Sequence, residues 1–288
     1  MNRTISVILP CRNAAATIGE QLAALAAQDP VCPWEVVVVD NGSEDGSARI
    51  VAAFHDRLPR LSLIEARDCR NAAEARNRGV RQAHGGLLAF CDADDVVGEG
   101  WLRAMNRALG EARLVAGRLE WERLNRPEVL GVRAQPQQRS LQEWDPPFLP
   151  FGGGGNLGMA RTLFDDLGGF DEEFDWLEDT DLCFRAQLAG HRLDYCSDAV
   201  VHVRLRDQVA AVYRQARGYG EWTVALHRRF ESCGMRRRNP VRGIAGWGLM
   251  LGRIATVRDR QDWMRWVHRW GWKVGLLRGS LRFRMLVQ

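Results

Sequence analysis

The sequence predicts an α/β fold: a mainly parallel sheet flanked by helices, followed by a C-terminal helical extension. Three observations predict it. Four short apolar or β-branched runs, Ile5–Leu9, Trp34–Val39, Leu61–Ala66 and Leu87–Phe90, alternate with segments of helical period. The resulting β-α-β-α-β-α-β order is that of parallel strands with helices on both faces. A chain of 288 residues, 46% hydrophobic and 26% charged, suits one large domain or a domain with an appendage.

Ile5–Leu9 is stopped by Pro10. Thr17 and Glu20 resemble a capping box, and Ile18, Leu22, Leu25 and Ala26 follow at helical spacing. Trp34–Val39 ends at Asp40, and the turn-rich run Asn41–Gly46 leads into a helix with Ile50, Val51, Phe54 and Leu58 on one face. Asn71 and Glu74 open a third helix that runs to Gly85. Its small residues Ala72, Ala75 and Gly79 would let it approach a ligand closely. Leu87–Phe90 follows the breaker pair Gly85-Gly86 and leads into three carboxylates, Asp92, Asp94 and Asp95. Open α/β sheets bind ligands at the C-terminal ends of their strands. Asp92 and Asp94, two residues apart around a turn, can converge on one hard divalent cation. The alternative is a solvated acidic loop capping the next helix.

Downstream, Trp101–Leu109 reads as a helix, Arg113–Glu120 as a strand and Asn125–Pro150 as a long polar loop. Phe151–Met159, FGGGGNLGM, is a glycine run and then a short strand. Thr162–Leu167 is a brief helix. LEDTD, Leu177–Asp181, opens another that ends at Gly190. Arg192–Tyr195 and Ala199–Val203 read as two short strands around a turn.

Seven cysteines without a CxxC pair argue against a disulfide framework and for a reducing compartment. The first apolar run is too short for a signal peptide, and no stretch approaches the ~18 apolar residues of a membrane span. Charge is uneven. Residues 207–288 hold 16 Arg and one Lys against five acids, with six of the 11 Trp. Arg236–Arg238 is a basic cluster. Trp263, Trp266, Val267, Trp270, Val274 and Leu277 form a helical stripe flanked by Arg265, Arg269, Lys273 and Arg278. Such a helix suits an anionic membrane interface, with docking on the body or a second subunit as the alternative. Nucleic acid is not expected, because no recognition module accompanies the charge.

Five stretches in one order, SVILPCRNAAATIGEQL, VVVVDNGSEDGS, ARNRGVRQAHGGLLAFCDADD, GNLGMARTLFDDLGGFDEEF and LEDTDLCFRAQLAGHRL, resemble family 2 glycosyltransferases of the GT-A fold. The likeness covers roughly residues 5–205. It implies a Rossmann-like sheet and inverting transfer from a nucleotide-sugar, assisted by Mn²⁺ or Mg²⁺. Residues 1–95 would form the nucleotide half, 96–205 the acceptor half and 206–288 a basic, Trp-rich extension. Pro10, Arg12, Asp40, Asn41 and Arg76 match donor-binding positions. Asp94 and then Asp92 match the metal position, with His202 as a further ligand and Asp95 structural. Asn156 would contact sugar hydroxyls. Asp179 matches the catalytic base, with an N-cap role as its alternative; Glu178 would hold the acceptor and Asp181 face the helix dipole. The acceptor would be a glycan or a lipid-linked sugar. Residues 241–284 would meet an anionic membrane surface, which places the chain in the cytoplasm at the inner membrane face. A nucleotidyltransferase is a second reading, although PCRNAAAT is a poor triphosphate loop. A non-catalytic nucleotide-sugar-binding subunit of a membrane assembly is a third. The missing GxGxxG argues against an NAD-dependent oxidoreductase.

Overall fold

The computed structural model describes residues 3–29, 32–58, 60–236 and 240–287, with the side chains of 240–245 left aside. Its first half runs β1 (Ile5–Cys11), α1 (Ile18–Ala26), β2 (Trp34–Asp40), α2 (Ser47–Ala52), β3 (Leu61–Glu65), α3 (Ala72–Gln82) and β4 (Leu87–Cys91). The second half runs β5 (Val96–Val97), α4 (Trp101–Glu111), β6 (Leu114–Glu120), α5 (Pro127–Leu130), β7 (Asn156–Ala160), α6 (Arg161–Asp166), α7 (Glu178–Leu188) and β8 (Asp194–His202). Three longer helices follow, α8 (Val209–Phe230), α9 (Pro240–Gly252) and α10 (Arg260–Arg282). Among the described residues the strands form one eight-stranded sheet in the order β3-β2-β1-β4-β7-β6-β8-β5.

The unbroken apolar strands reflect burial on both faces. Val36 and Val38 of β2 join one core with Ile18, Leu22 and Trp101, while Val37 and Val39 join the opposite core with Val80, Phe90 and Phe170. β1, β2, β3 and β4 pair in parallel, so their C-terminal ends share one edge of the sheet. β7 then enters antiparallel between β4 and β6, a reversal absent from the predicted alternation. Small residues on α3 serve the sheet more than a ligand. A Cβ on Gly79 would lie 2.7 Å from Ile8 Cγ2 and 3.0 Å from Val39 Cγ2.

The two strands expected around a turn near Ser197 are one strand, β8. Its pairing with β6 passes from Cys196↔Gly117 to Val200↔Arg118, so Ser197–Ala199 bow out as a bulge. The pair β5, antiparallel to the end of β8, is too short to show in a periodicity. The long polar loop contains α5 and returns through a bridge between Gln142 and Phe151.

The C-terminal helices dock on this body. Trp222, Leu226 and Phe230 of α8 pack with Phe174, Phe184 and Trp144. α10 then lies backbone to backbone on α8. A Cβ on Gly275 would meet Arg217 O at 2.2 Å, and one on Gly279 would meet Glu221 O at 2.5 Å. Glu221 accepts from Arg278 at 3.2 Å and Arg282 at 3.0 Å. The tryptophan stripe is packed in part, while Trp263 stays 39% and Leu277 43% exposed. Val267 is buried, and Trp263, Trp266 and Trp270 stack in a ladder with centroids 5.4 and 5.5 Å apart, closed edge-on by Trp247 of α9. Of the basic cluster, Arg237 and Arg238 lie outside the described residues. No helix among the described residues is long and apolar enough to cross a membrane.

Candidate active site

Two acidic groups meet at the edge where β1, β2 and β4 end. β4 delivers the first. Asp92, Asp94 and Asp95 each present an oxygen, all within 4.8 Å of one another. Burial pushes the Asp94 carboxyl above its usual range, with Arg206 opposing and Asp92 adding. Burial and the charges of Asp94 and Asp92 push Asp95 well above it. Asp95 is turned inward, accepting the Arg204 main-chain N–H at 2.8 Å, and so ties the segment after β8 to this turn. Arg206 Nη1 stands 2.8 Å from Asp94 Oδ2, with its own side chain 51% exposed.

α7 delivers the second group. Its N-cap is Leu177, held left-handed at φ 64, and no side chain caps the helix. A non-glycine residue there costs about 1–2 kcal/mol. Asp179 is thus not the N-cap but lies inside the first turn. Its Oδ2 accepts the Gly154 N–H at 2.6 Å and its Oδ1 the Thr180 N–H at 2.6 Å. Burial raises the Asp179 carboxyl against those donors. Glu178 is pushed up to about 7 by burial, with Arg76 opposing and Asp179 adding.

Arg76, reached from α3 and 4% exposed, joins the two groups. Its Nη2 donates to Asp92 Oδ1 at 2.7 Å and its Nη1 to Glu178 Oε1 at 2.5 Å. Burial works against its charge, but Asp92, Glu178 and Asp179 outweigh burial and keep the guanidinium protonated. The glycine run passes through the same space. A Cβ on Gly155 would lie 2.8 Å from Asp92 Oδ2, and one on Gly154 would lie 3.3 Å from both Arg76 Cζ and Asp179 Cβ. The absent side chains let the glycine run pass close to Arg76 and to both acidic groups.

Pro10, Arg12, Asp40 and Asn41 form the far rim. Cys11 pairs with Asp40, and continuing the Ile8↔Phe90 register sets Pro10 level with Asp92. Two strand spacings, about 10 Å, separate the ends of β2 and β4. Asp40 Oδ1 accepts the Ser43 N–H at 3.0 Å, an Asx turn, and the Asn41 N–H donates to Cys11 O at 2.8 Å. Arg12 is exposed.

Two expected site residues are occupied elsewhere. Asn156 is fully buried. Its Oδ1 accepts the Trp101 Nε1–H at 2.9 Å, and its Nδ2 donates to Arg118 O at 2.9 Å and Ala199 O at 2.8 Å. It satisfies the Arg118 and Ala199 carbonyls beside the β8 bulge. His202 lies outside the carboxylate group. The parallel register sets it opposite Glu120, whose Oε2 is 2.6 Å from Nδ1, while Arg123 Nη1 is 3.0 Å from Nε2. Asp181 lies in the first turn of α7, where its charge meets the helix dipole as expected. It is fully buried and pairs with Arg185 at 2.7 Å and Arg229 at 3.2 Å.

Sequence reasoning passed over Arg204 and Arg206, although two arginines in Arg-Leu-Arg directly after β8 carry the signal. Tyr219 of α8 stands edge-on to Trp176 at 5.2 Å. Burial raises its phenol, Arg133 opposes, and the nearby Asp179 and Glu178 add, which places it beside the acid pair.

The model of the family described as "Glycosyl transferase family 2" matches residues 6–168. Glycosyltransferase AglE of Haloferax volcanii is 28% identical over 208 residues, 68% of this chain and 65% of that protein. An Escherichia coli protein named UDP-Glc:alpha-D-GlcNAc-diphosphoundecaprenol beta-1,3-glucosyltransferase WfgD is 34% identical over 92 residues, 32% of this chain and 35% of its own length. The chain thus spans about two thirds of the first relative and about a third of the second. Among solved structures, the mannosyltransferase PcManGT from Pyrobaculum calidifontis, in complex with GDP-Man and Mn²⁺, superposes with a TM-score of 0.64 at 20% identity, covering 96% of this chain and 86% of that one. At that identity the likeness is one of fold, the GT-A arrangement of a curled mixed sheet with flanking helices.

Proposed function

The chain belongs to glycosyl transferase family 2, and on that footing we propose that it moves a sugar from a nucleotide-sugar to a hydroxyl of a glycan or lipid-linked acceptor, with inversion and with Mn²⁺ or Mg²⁺ bound. The observation that carries this reading is the shared cleft, in which Arg76 joins Asp92 to Glu178 while Gly154 lies against Asp179 and Gly155 against Asp92. The GDP-Man and Mn²⁺ of the archaeal neighbour and the diphosphate-linked lipid in the name of the Escherichia coli relative support it.

The donor set suits the metal. Carboxylate oxygens within 4.8 Å, two of them with raised affinity for protons, fit a hard divalent cation. Asp94 and Asp92 would hold it, and the half-exposed Arg206 can withdraw to make room. Bound there, the ion supplies positive charge against the departing nucleoside diphosphate.

The chain's own groups do the rest. Asp179 removes the proton of the attacking hydroxyl as its oxygen bonds to the anomeric carbon and the bond to the diphosphate breaks. Burial makes Asp179 a stronger base than a free aspartate, while the Gly154 and Thr180 N–H groups favour its charged form. Glu178, neutralised by Arg76, lies beside it on the acceptor side. Pro10, Arg12, Asp40 and Asn41 take base and ribose in the half formed by 1–95. Residues 96–205 take the acceptor, and 206–288 hold the enzyme against the cytoplasmic face of a membrane.

A thermal-shift screen of nucleotide-sugars with Mn²⁺ tests the donor. A ligand at 100 times its dissociation constant adds about 2.7 kcal/mol of stability. Asp179→Asn is expected to keep that shift and lose transfer by roughly 10²–10⁴-fold. Undiminished turnover would remove Asp179 as base. No shift with any nucleotide-sugar would remove the donor reading. Donor binding without turnover in the unmodified chain would favour the non-catalytic subunit.

A further inference from the structure

Away from the cleft, the corner between α9 and α10 holds an open pocket of about 330 Å³. Leu249, Met250, Trp266 and Trp272 form its apolar side, and Arg253, His268, Arg269 and Lys273 stand on the polar side. Trp266 is fixed there by donating its Nε1–H to Met250 O at 3.0 Å. Arg253 and Arg269 are exposed and have no acidic partner among the described residues. Burial, Arg253 and Arg265 all push the Arg269 guanidinium down, so its charge is held at a cost that an added anion would relieve.

The same corner carries the apolar surface that the tryptophan ladder does not cover. Leu249 is 70% exposed, Leu251 55% and Ile254 52%, at the end of α9 and in the short turn after it. α9 has 13 residues, about 20 Å of helix, too short to cross a hydrocarbon core of about 30 Å. Unpaired cations beside an apolar pocket and protruding leucines suit an amphiphile with an anionic head, and they give an acidic peptide no use for the apolar tip.

We propose that this corner binds a lipid whose phosphate headgroup carries net negative charge. Arg253 and Arg269 take the phosphate oxygens, the pocket beside Met250, Trp266 and Trp272 takes the first part of the lipid chain, and Leu249, Leu251 and Ile254 enter the surrounding bilayer. The membrane contact expected of a stripe on α10 is thereby moved to the turn that precedes it. The site stands independently of glycosyl transfer, since none of its residues belongs to the cleft.

The test is vesicle co-sedimentation of the full chain, with phosphatidylcholine alone and with added phosphatidylglycerol. Binding is expected for the anionic vesicles only. Arg253→Gln with Arg269→Gln is expected to weaken it roughly 30-fold. Leu251→Ser, at an exposed position that does not threaten folding, is expected to weaken it as well. Dodecyl phosphate is expected to quench tryptophan fluorescence saturably where inorganic phosphate does not. Equal partition of the double arginine variant, equal binding to neutral vesicles, or inorganic phosphate matching dodecyl phosphate would each overturn the proposal. So would binding of a polyglutamate peptide by a chain that ignores vesicles. Transfer to a soluble acceptor, measured on the same variants, is expected to be unchanged, which separates failure of this site from failure of the enzymatic reading.

Discussion

Replacing Arg76 with methionine keeps a long side chain and removes the cation shared by Asp92 and Glu178. Arg76 is 4% exposed and makes charge-assisted bonds of 2.7 and 2.5 Å to the two carboxylates. Removing one partner of a buried ion pair leaves a charge uncompensated, which costs about 3–5 kcal/mol. An unfolding entropy of about 2.1 cal/mol/K per residue gives about 0.6 kcal/mol/K for 288 residues, so the expected fall in Tm is about 5–8 °C. The loss also depends on pH. Glu178 sits at about 7 in the fold, above its ordinary 4.5. A carboxyl raised by folding gives stability that is full below its unfolded pKa and is lost as pH rises through its folded one. Without Arg76 the folded value climbs further. The deficit of the variant against the natural chain is then larger at pH 8 than at pH 6. Calorimetric melts at both pH values measure this, with Arg76→Lys, which keeps the charge and loses the fork, falling between. An unchanged Tm, or the same deficit at both pH values, would refute the account of Arg76 as the cation that holds the acidic groups together.

Two further outcomes follow from the geometry. Asn156→Ala strands the Trp101 Nε1–H and the carbonyls of Arg118 and Ala199 inside the sheet, so a loss of about 1–3 kcal/mol in denaturant melts is expected with donor affinity unchanged; weaker donor binding at full stability would return Asn156 to the sugar site. Gly155→Ala sets a methyl 2.8 Å from Asp92 Oδ2, and titration calorimetry is expected to show Mn²⁺ binding weakened roughly 10–100-fold; undiminished Mn²⁺ binding would place the metal elsewhere.

The first half of the fold is legible in the sequence because β1, β2 and β4 are buried on both faces, and such burial demands unbroken apolar runs. The carboxylates at the end of β4 are legible for a related reason, since a polar cluster directly after a buried strand must surface at the sheet edge. The second half resists because its strands answer to partners remote in sequence. β7 is antiparallel only by virtue of lying between β4 and β6. The bulge in β8 looks like a turn from Ser197 and Asp198, and only the pairing with Gly117 and Arg118 shows the strand continuing. The partners of Asn156 and His202 are hidden for the same cause. Both residue types suit a sugar or a metal, but Ala199 O, Arg118 O and Glu120, which occupy them, come from other strands. The tryptophan stripe has the right period for a membrane face, yet period cannot say which surface a helix meets first. The glycines at 271, 275 and 279 on the adjoining face, which bring α8 within backbone distance, were the signal for docking.

That glycine seam has a mechanical consequence. Gly271, Gly275 and Gly279 recur every four residues along α10, about 6 Å apart on the axis, and each meets backbone of α8. A displacement by one residue would drive a side chain into a carbonyl, while a displacement by the repeat would bring one glycine to the place of the next. α10 therefore seats on α8 in notches rather than along a continuous track. A push on the α9–α10 corner cannot be absorbed by gradual sliding; it is passed to α8 as a whole or it lifts α10 out of its notch.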